Sequence, residues 1–163
     1  MEKYEYKREE SCAFTGHRSI RPEHEKVLRG RLRQAIEEVY NTGVTNFVCG
    51  MAMGFDMMAA ETVLALRDEL PDITLTAVVP FRGQEDRWSE TNKRRYRRIL
   101  EEADSVIVLS DRFFRGAELR RNDYMIDHAC RVIAYYDGGP KSGTGYTVTR
   151  ARDKDLSILN LFD

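Results

Sequence analysis

The chain has 163 residues, 42% hydrophobic and 33% charged, with a net charge of −1, which fits one well-cored domain and excludes wholesale disorder. So small a net charge gives no global attraction to nucleic acid or membrane, and any basic patch must be argued locally. No apolar run approaches the roughly 20 residues of a membrane helix, and the start of the chain lacks a signal-peptide core, so the expectation is a cytoplasmic protein with no membrane partner.

Residues 1–10 are charged and are expected to be a flexible or weakly docked tail; residues 11–163 are expected to form a single domain. Ser11 to Thr15 reads as a first strand, left by the loop Gly16-His17-Arg18. Pro22 suits the first turn of a helix whose apolar face recurs from Val27 to Tyr40, with Gly43 where a left-handed residue is expected after it. Val44 to Cys49 is a second strand. Gly50, Met51, Ala52 and Gly54 follow it as a glycine-punctuated turn, and Asp56 opens a helix that Pro71 is expected to end.

Ile73 to Val79 reads as a third strand and Pro80 to Gly83 as its exit loop. Ser89 suits the cap of a helix buried through Tyr96, Ile99, Leu100 and Ala103. Ser105 to Leu109 is the fourth strand, and a helix from Glu118 to Ala129 is expected to bury Leu119, Ile126 and Ala129. Arg131 to Tyr136 is the fifth strand, with the glycine-rich loop 138–145 behind it. A short helix from Tyr146 to Lys154 and a strand from Leu156 to Leu161 close the chain. Short apolar strands separated by helix-length segments predict an α/β fold, a Rossmann-like and mostly parallel sheet with helices on both faces.

In such a sheet the strand exits and helix N-termini share one edge, where ligands bind at the switch in strand order. Nine of the eleven glycines fall in segments leaving strands, which favours that edge as a ligand site. Gly50 and Gly54 would let backbone amides approach an anion at a helix N-terminus, although the Gly-x-x-x-Gly-x-Asp spacing matches neither the dinucleotide fingerprint nor the P-loop. The plainer reading is a tight turn with Asp56 as a cap. Arg18 suits forked hydrogen bonds to phosphate or carboxylate, whereas His17 has no visible partner as a general base. Asn122 falls on the stripe of Leu119 and Ile126, where an amide needs hydrogen-bond partners; Arg121 and Asp127 beside it read equally well as solvated.

Lys93, Arg94, Arg95, Arg97 and Arg98 put five cations early in one helix, where the macrodipole disfavours them. Pairing with Glu101 and Glu102 on a solvated face explains them most simply, with single-stranded nucleic acid, stacked on Phe113 and Phe114, as the less favoured partner. Cys12, Cys49 and Cys130 are an odd number at wide spacing, which suits reduced buried thiols, and no metal site is expected.

The motifs Gly16-His17-Arg18, Cys49 to Asp56, Arg121 to Asp127 and Gly138 to Val148, in this order, make the sequence resemble the YpsA-like branch of the SLOG superfamily. This group of Rossmann-like proteins also includes the DprA/Smf proteins and the LOG phosphoribohydrolases. The resemblance runs from about Cys12 to the final strand. It implies binding of a nucleotide or nucleotide-derived ligand, ADP-ribose or NAD-like, as a sensor or adaptor of uncharacterised function, and assembly as a homo-oligomer.

In the LOG enzymes a helix carrying Arg-Lys-x-x-Met precedes a loop Pro-Gly-Gly-x-Gly-Thr-x-x-Glu. Arg121 to Met125 is similar to the first motif and Gly143-Thr144 to the second, but Asn122 replaces the Lys and Thr147 stands where the Glu would be. The resemblance therefore carries over binding and leaves catalysis open, with N-glycosidic hydrolysis and DprA-like single-strand binding as alternatives. The expected ligand-binding set is Gly16, His17, Arg18, Gly50, Met51, Ala52, Gly54, Asp56, Arg121, Asn122, Gly143 and Thr144. Loop amides would hold phosphate, Arg18 or Arg121 would supply counter-charge, and Asp56 or Asn122 would take ribose hydroxyls.

Overall fold

A computed structural model describes residues 4–140 and 142–162. Strand and helix alternate throughout: β1 (Ser11–Gly16), α1 (Pro22–Tyr40), β2 (Asn46–Cys49), α2 (Phe55–Leu66), β3 (Thr74–Val79), α3 (Glu90–Glu102), β4 (Ser105–Val108), α4 (Ala117–Asp127), β5 (Arg131–Tyr135), α5 (Gly143–Asp153) and β6 (Ser157–Asn160). The six strands form one sheet in the order β4-β3-β2-β1-β5-β6, and every pairing is parallel. The chain works outward from β1 to β4 and then crosses back to lay β5 against the other side of β1. The order therefore reverses between β1 and β5, and a crevice is expected beyond their C-terminal ends.

Alternation along each strand splits the core into two layers, because successive side chains point to opposite faces. Phe14, Phe47, Leu75, Val79, Ile133 and Tyr135 pack with α1, α2 and α3. Ala13, Val48, Val78 and Ile107 meet α4, and Val132 and Ala134 meet α4 and α5. Among the described residues no helix is long and apolar enough to cross a membrane.

Local signals explain most element ends. Pro22 sits in the first turn of α1, Gly43 adopts φ 100° beyond it, and the Ser89 hydroxyl accepts the Asn92 N–H at 3.2 Å to cap α3. Three expectations need correction. The helix expected to run to Pro71 ends at Leu66; the chain leaves it in a turn in which Leu70 N–H donates to the Leu66 carbonyl. Gly143, Thr144 and Gly145 are not loop but the first turn of α5, since the Ser142 hydroxyl caps it through the Gly145 N–H at 2.9 Å. Leu119, expected in the core, is 41% exposed, while Arg121 and Asn122 are buried.

At the N-terminal edge of the sheet, opposite the crevice, a buried amide ties three strands together. Asn46 Nδ2 donates to Tyr4 Oη at 2.9 Å and Ser11 Oγ at 3.3 Å, and its Oδ1 accepts from the hydroxyls of Thr74 at 2.9 Å and Thr76 at 3.0 Å. Tyr4 in turn donates to Ser11 Oγ at 2.6 Å, and burial pushes its phenol up to about 12. Residues 4–10 are thus held at Tyr4 and again at Arg8, whose Nε donates to the Ala129 carbonyl; residues 1–3 of the expected tail lie outside the described residues. Removing one partner from a buried network strands the others. Asn46→Ala should lower the unfolding free energy by on the order of 3 kcal/mol, measured by urea denaturation, with the m-value unchanged.

Candidate functional site

A cavity of about 380 Å³ opens at the switch point, walled by the exits of β1 and β2 and the N-terminal turns of α2, α4 and α5. Of the residues expected from sequence, Gly16, His17, Arg18, Ala52, Asp56, Arg121, Asn122, Gly143 and Thr144 line it. Gly50, Met51 and Gly54 stand behind its wall. Phe14, Thr15, Glu118, Leu119, Met125 and Ser142 join the lining without having been singled out. Ser142 and Glu118 carried a legible signal, a hydroxyl before a helix and a carboxylate in a first helical turn. Leu119 was expected in the core, and Met125 only closes the stretch similar to the LOG motif.

Arg121 is the centre of the site. It is only 4% exposed; its Nη1 donates to the Gly50 carbonyl and its Nε to Asn122 Oδ1 at 2.9 Å. Gly50 has a defined reason to be glycine, because a Cβ there would lie 2.8 Å from Arg121 Nε. Asn122 finds the partner that a buried amide requires. Burial pushes the guanidinium pKa down, and the nearby negative charge of Asp56 opposes that shift.

Asp56, in the first turn of α2, is 4% exposed. Its Oδ2 accepts the Ala52 N–H at 3.2 Å, and its Oδ1 is buried without a hydrogen-bond partner. Burial pushes its carboxyl up to about 6; Arg121, the Ala52 N–H and Arg18 each pull the other way. No ion pair within 4 Å joins Asp56 to Arg121 among the described residues, although both line the cavity. The cation and the carboxylate are thus separated, and both side chains line the cavity.

The amides divide unequally between the two glycine segments. In the β2 exit, Met51 N–H donates to Cys49 Sγ at 3.4 Å and Ala52 N–H to Asp56, so that turn is largely engaged with the protein itself. Met51 is fully buried with φ 63°, a conformation held by its surroundings. Gly54 has φ 77°, and a Cβ on it would meet the Arg18 carbonyl oxygen at 2.2 Å, so it permits the β1 and β2 exits to touch. In α5, by contrast, Gly143 and Thr144 line the cavity, and their N–H groups, in the first helical turn, have no intrahelical acceptor. The start of α5, more than the Gly50 to Gly54 turn, thus has amides left open to an anion.

His17 braces the opening. Its Nε2 accepts the Asp137 N–H at 3.0 Å and lies 3.1 Å from Asp137 Oδ1, linking the β1 exit to the β5 exit. Gly139 N–H, first, and His17 hold the Asp137 carboxyl below its usual range. Thr147 donates its hydroxyl to the Gly143 carbonyl at 2.9 Å and is buried inside α5. Asp127 lies outside the cavity lining and pairs with Lys154. The α3 cations sit away from the cavity: Arg95 makes a forked pair with Glu61 at 3.1 and 2.6 Å, and Arg98 pairs with Glu102 at 2.9 Å.

The raised Asp56 pKa has a definite sign in stability. A carboxyl whose folded pKa lies above its unfolded value binds more protons when folded, so it costs stability as pH rises from about 4 to about 6. The contribution is on the order of 3 kcal/mol. Asp56→Asn should remove that slope: the difference in urea unfolding free energy between wild type and variant should change across pH 4 to 6.5 and stay flat above it.

A family model described as the YspA SLOG family matches residues 6–158. The chain is 30% identical over 152 residues to a UPF0398 protein of Halalkalibacterium halodurans, covering 91% of this chain and 78% of that protein. It is 35% identical over 130 residues to the uncharacterized SPbeta prophage-derived protein YoqJ of Bacillus subtilis, covering 72% and 75% respectively. A UPF0398 protein of Bacillus velezensis is 29% identical over 131 residues, covering 79% of this chain and 70% of its own length.

Proposed function

Since the chain belongs to the YspA SLOG family, we propose that the cavity at its sheet reversal binds a nucleotide-derived phosphate ligand, ADP-ribose or NAD-like, and that the protein acts as a sensor or adaptor. The observation that carries this reading is one cavity holding a buried guanidinium, two uncommitted helix-start amides and an unpartnered carboxylate oxygen. Phosphate fits the amides of Gly143 and Thr144 with Arg121 and Arg18 as counter-charges. Asp56 Oδ1, an acceptor without a donor, fits a ribose hydroxyl, which supplies the missing proton.

A second reading, N-glycosidic hydrolysis, draws support from the same Asp56 oxygen, because a carboxyl with a pKa of about 6 can exchange a proton near neutral pH. Binding without turnover fits better, because Thr147 supplies no second carboxylate where the LOG pattern has one.

The discriminating experiment is a thermal-shift series with AMP, ADP, ADP-ribose and NAD, followed by chromatography of each mixture. One class should raise the melting temperature saturably, since a ligand that binds only the folded state must stabilise it. Arg121→Met, and Arg18→Ala at an exposed position, should each weaken the effective ligand by at least about tenfold. No shift from any compound at millimolar concentration overturns the proposal; release of free base at an enzyme-like rate replaces it with the hydrolytic reading.

A further inference from the structure

Beside the first cavity, and sharing Arg18 and Glu118 with it, lies a cleft of about 690 Å³ between the exits of β3 and β4. Its walls, loops 80–88 and 110–116, are fastened to each other. Arg82 N–H donates to the Ser110 carbonyl at 2.9 Å, Phe81 and Phe113 meet edge to face at 5.2 Å, and Arg82 pairs with Asp111 at 3.8 Å. The floor is fastened as well, since Gln84 donates to the Gly50 carbonyl that also holds Arg121, and accepts from the Tyr96 hydroxyl at 3.1 Å.

Three features of this cleft look toward a ligand. Phe113 leaves 61% of its surface in water although Phe81 has already fixed the ring. Arg87 and Arg112 line the cleft and enter no ion pair among the described residues. The first cavity, at about 380 Å³, is near the lower end of the range for small-molecule sites, so a ligand with a second nucleotide-sized half must extend beyond it, and Arg18 marks the way out.

We propose that this cleft is a second subsite for the same ligand, taking a planar aromatic ring against Phe81 and Phe113 while Arg18 holds an anionic bridge at the junction. The ligand class is then a two-part anion, a nucleoside diphosphate joined to a further sugar, rather than a mononucleotide. This inference rests on reading the first cavity as the phosphate and sugar site. Aromatic rings stack on bases of any identity, and arginines beside them neutralise phosphate. Asp86 and Glu118, the other acidic side chains of the cleft, suit the donors of a base or sugar. An extended nucleic-acid track fits less well, because Phe114 lies under Arg120 at 5.8 Å rather than in the cleft, and the α3 arginines 95 and 98 are already paired with glutamates.

The test is calorimetric titration of wild type and Phe113→Ala with ADP-ribose and with ribose 5-phosphate. Phe113 is 61% exposed and meets Phe81 edge to face, so its truncation should lower the melting temperature of the free protein slightly without unfolding it, which is checked first. ADP-ribose should bind wild type more tightly than ribose 5-phosphate does. Phe113→Ala should lose about tenfold for ADP-ribose and nothing for ribose 5-phosphate. Equal affinity of both proteins for ADP-ribose overturns the second subsite and leaves the first reading intact. Binding of neither probe to wild type overturns the first reading, and the second subsite with it.

Discussion

A guanidinium buried at the junction of β1, β2 and α4 sets the terms for everything around it. Removing a cation from water costs several kcal/mol, which only close partners offset. Arg121 meets that requirement with a backbone carbonyl, a side-chain amide and a carboxylate of opposite sign nearby. Each partner then constrains the chain: residue 50 must lack a Cβ, residue 122 must be an acceptor, and residue 56 must remain largely ionised at neutral pH despite its own burial. Four positions that look unrelated in sequence are one electrostatic unit.

The topology is what brings that unit together. Only because the chain crosses back after β4 does α4 start beyond the ends of β1 and β2, and only because β5 then lies beside β1 does the first turn of α5 face the same space. His17 fastens the two exits across the reversal, and Gly54 lets β1 and β2 meet there. A second buried network lies at the other edge, where Asn46 joins β1, β2 and β3.

The strands and helices were legible because short apolar runs and 3.6-residue periodicity depend on neighbours in sequence. The lining was legible in outline, because glycines and arginines gathered at strand exits. What could not be read was which partner each would face. Gly50 looks in sequence like an opening for a ligand and proves to be space for Arg121, 71 residues away. Leu119 and Arg121 exchanged the fates that hydropathy assigns them, because the face of α4 at its N-terminal end meets a cavity and not a core. Gly143 to Gly145 reads as loop by composition, yet the Ser142 hydroxyl in front of it turns those glycines into a helix start. In each case a contact between distant segments overrode a local preference.

The same geometry narrows the chemistry available to the site. Asp56 and Glu118 are the acidic side chains lining the first cavity, and the Thr147 hydroxyl is engaged with Gly143 inside α5. A proton transferred to or from a ligand seated there would have those two carboxyls and the His17 imidazole as its nearest titratable partners. Asp56 is fixed by Ala52 on one oxygen and open on the other, so it is oriented before a ligand arrives. A fixed acceptor beside a fixed cation favours recognition of a hydroxyl next to a phosphate. It would favour stabilising a developing ribosyl cation only where Arg121 stands far enough from the breaking bond not to repel it. On the proposed reading, the distance of the buried guanidinium from a bound sugar would separate holding the ligand from cleaving it.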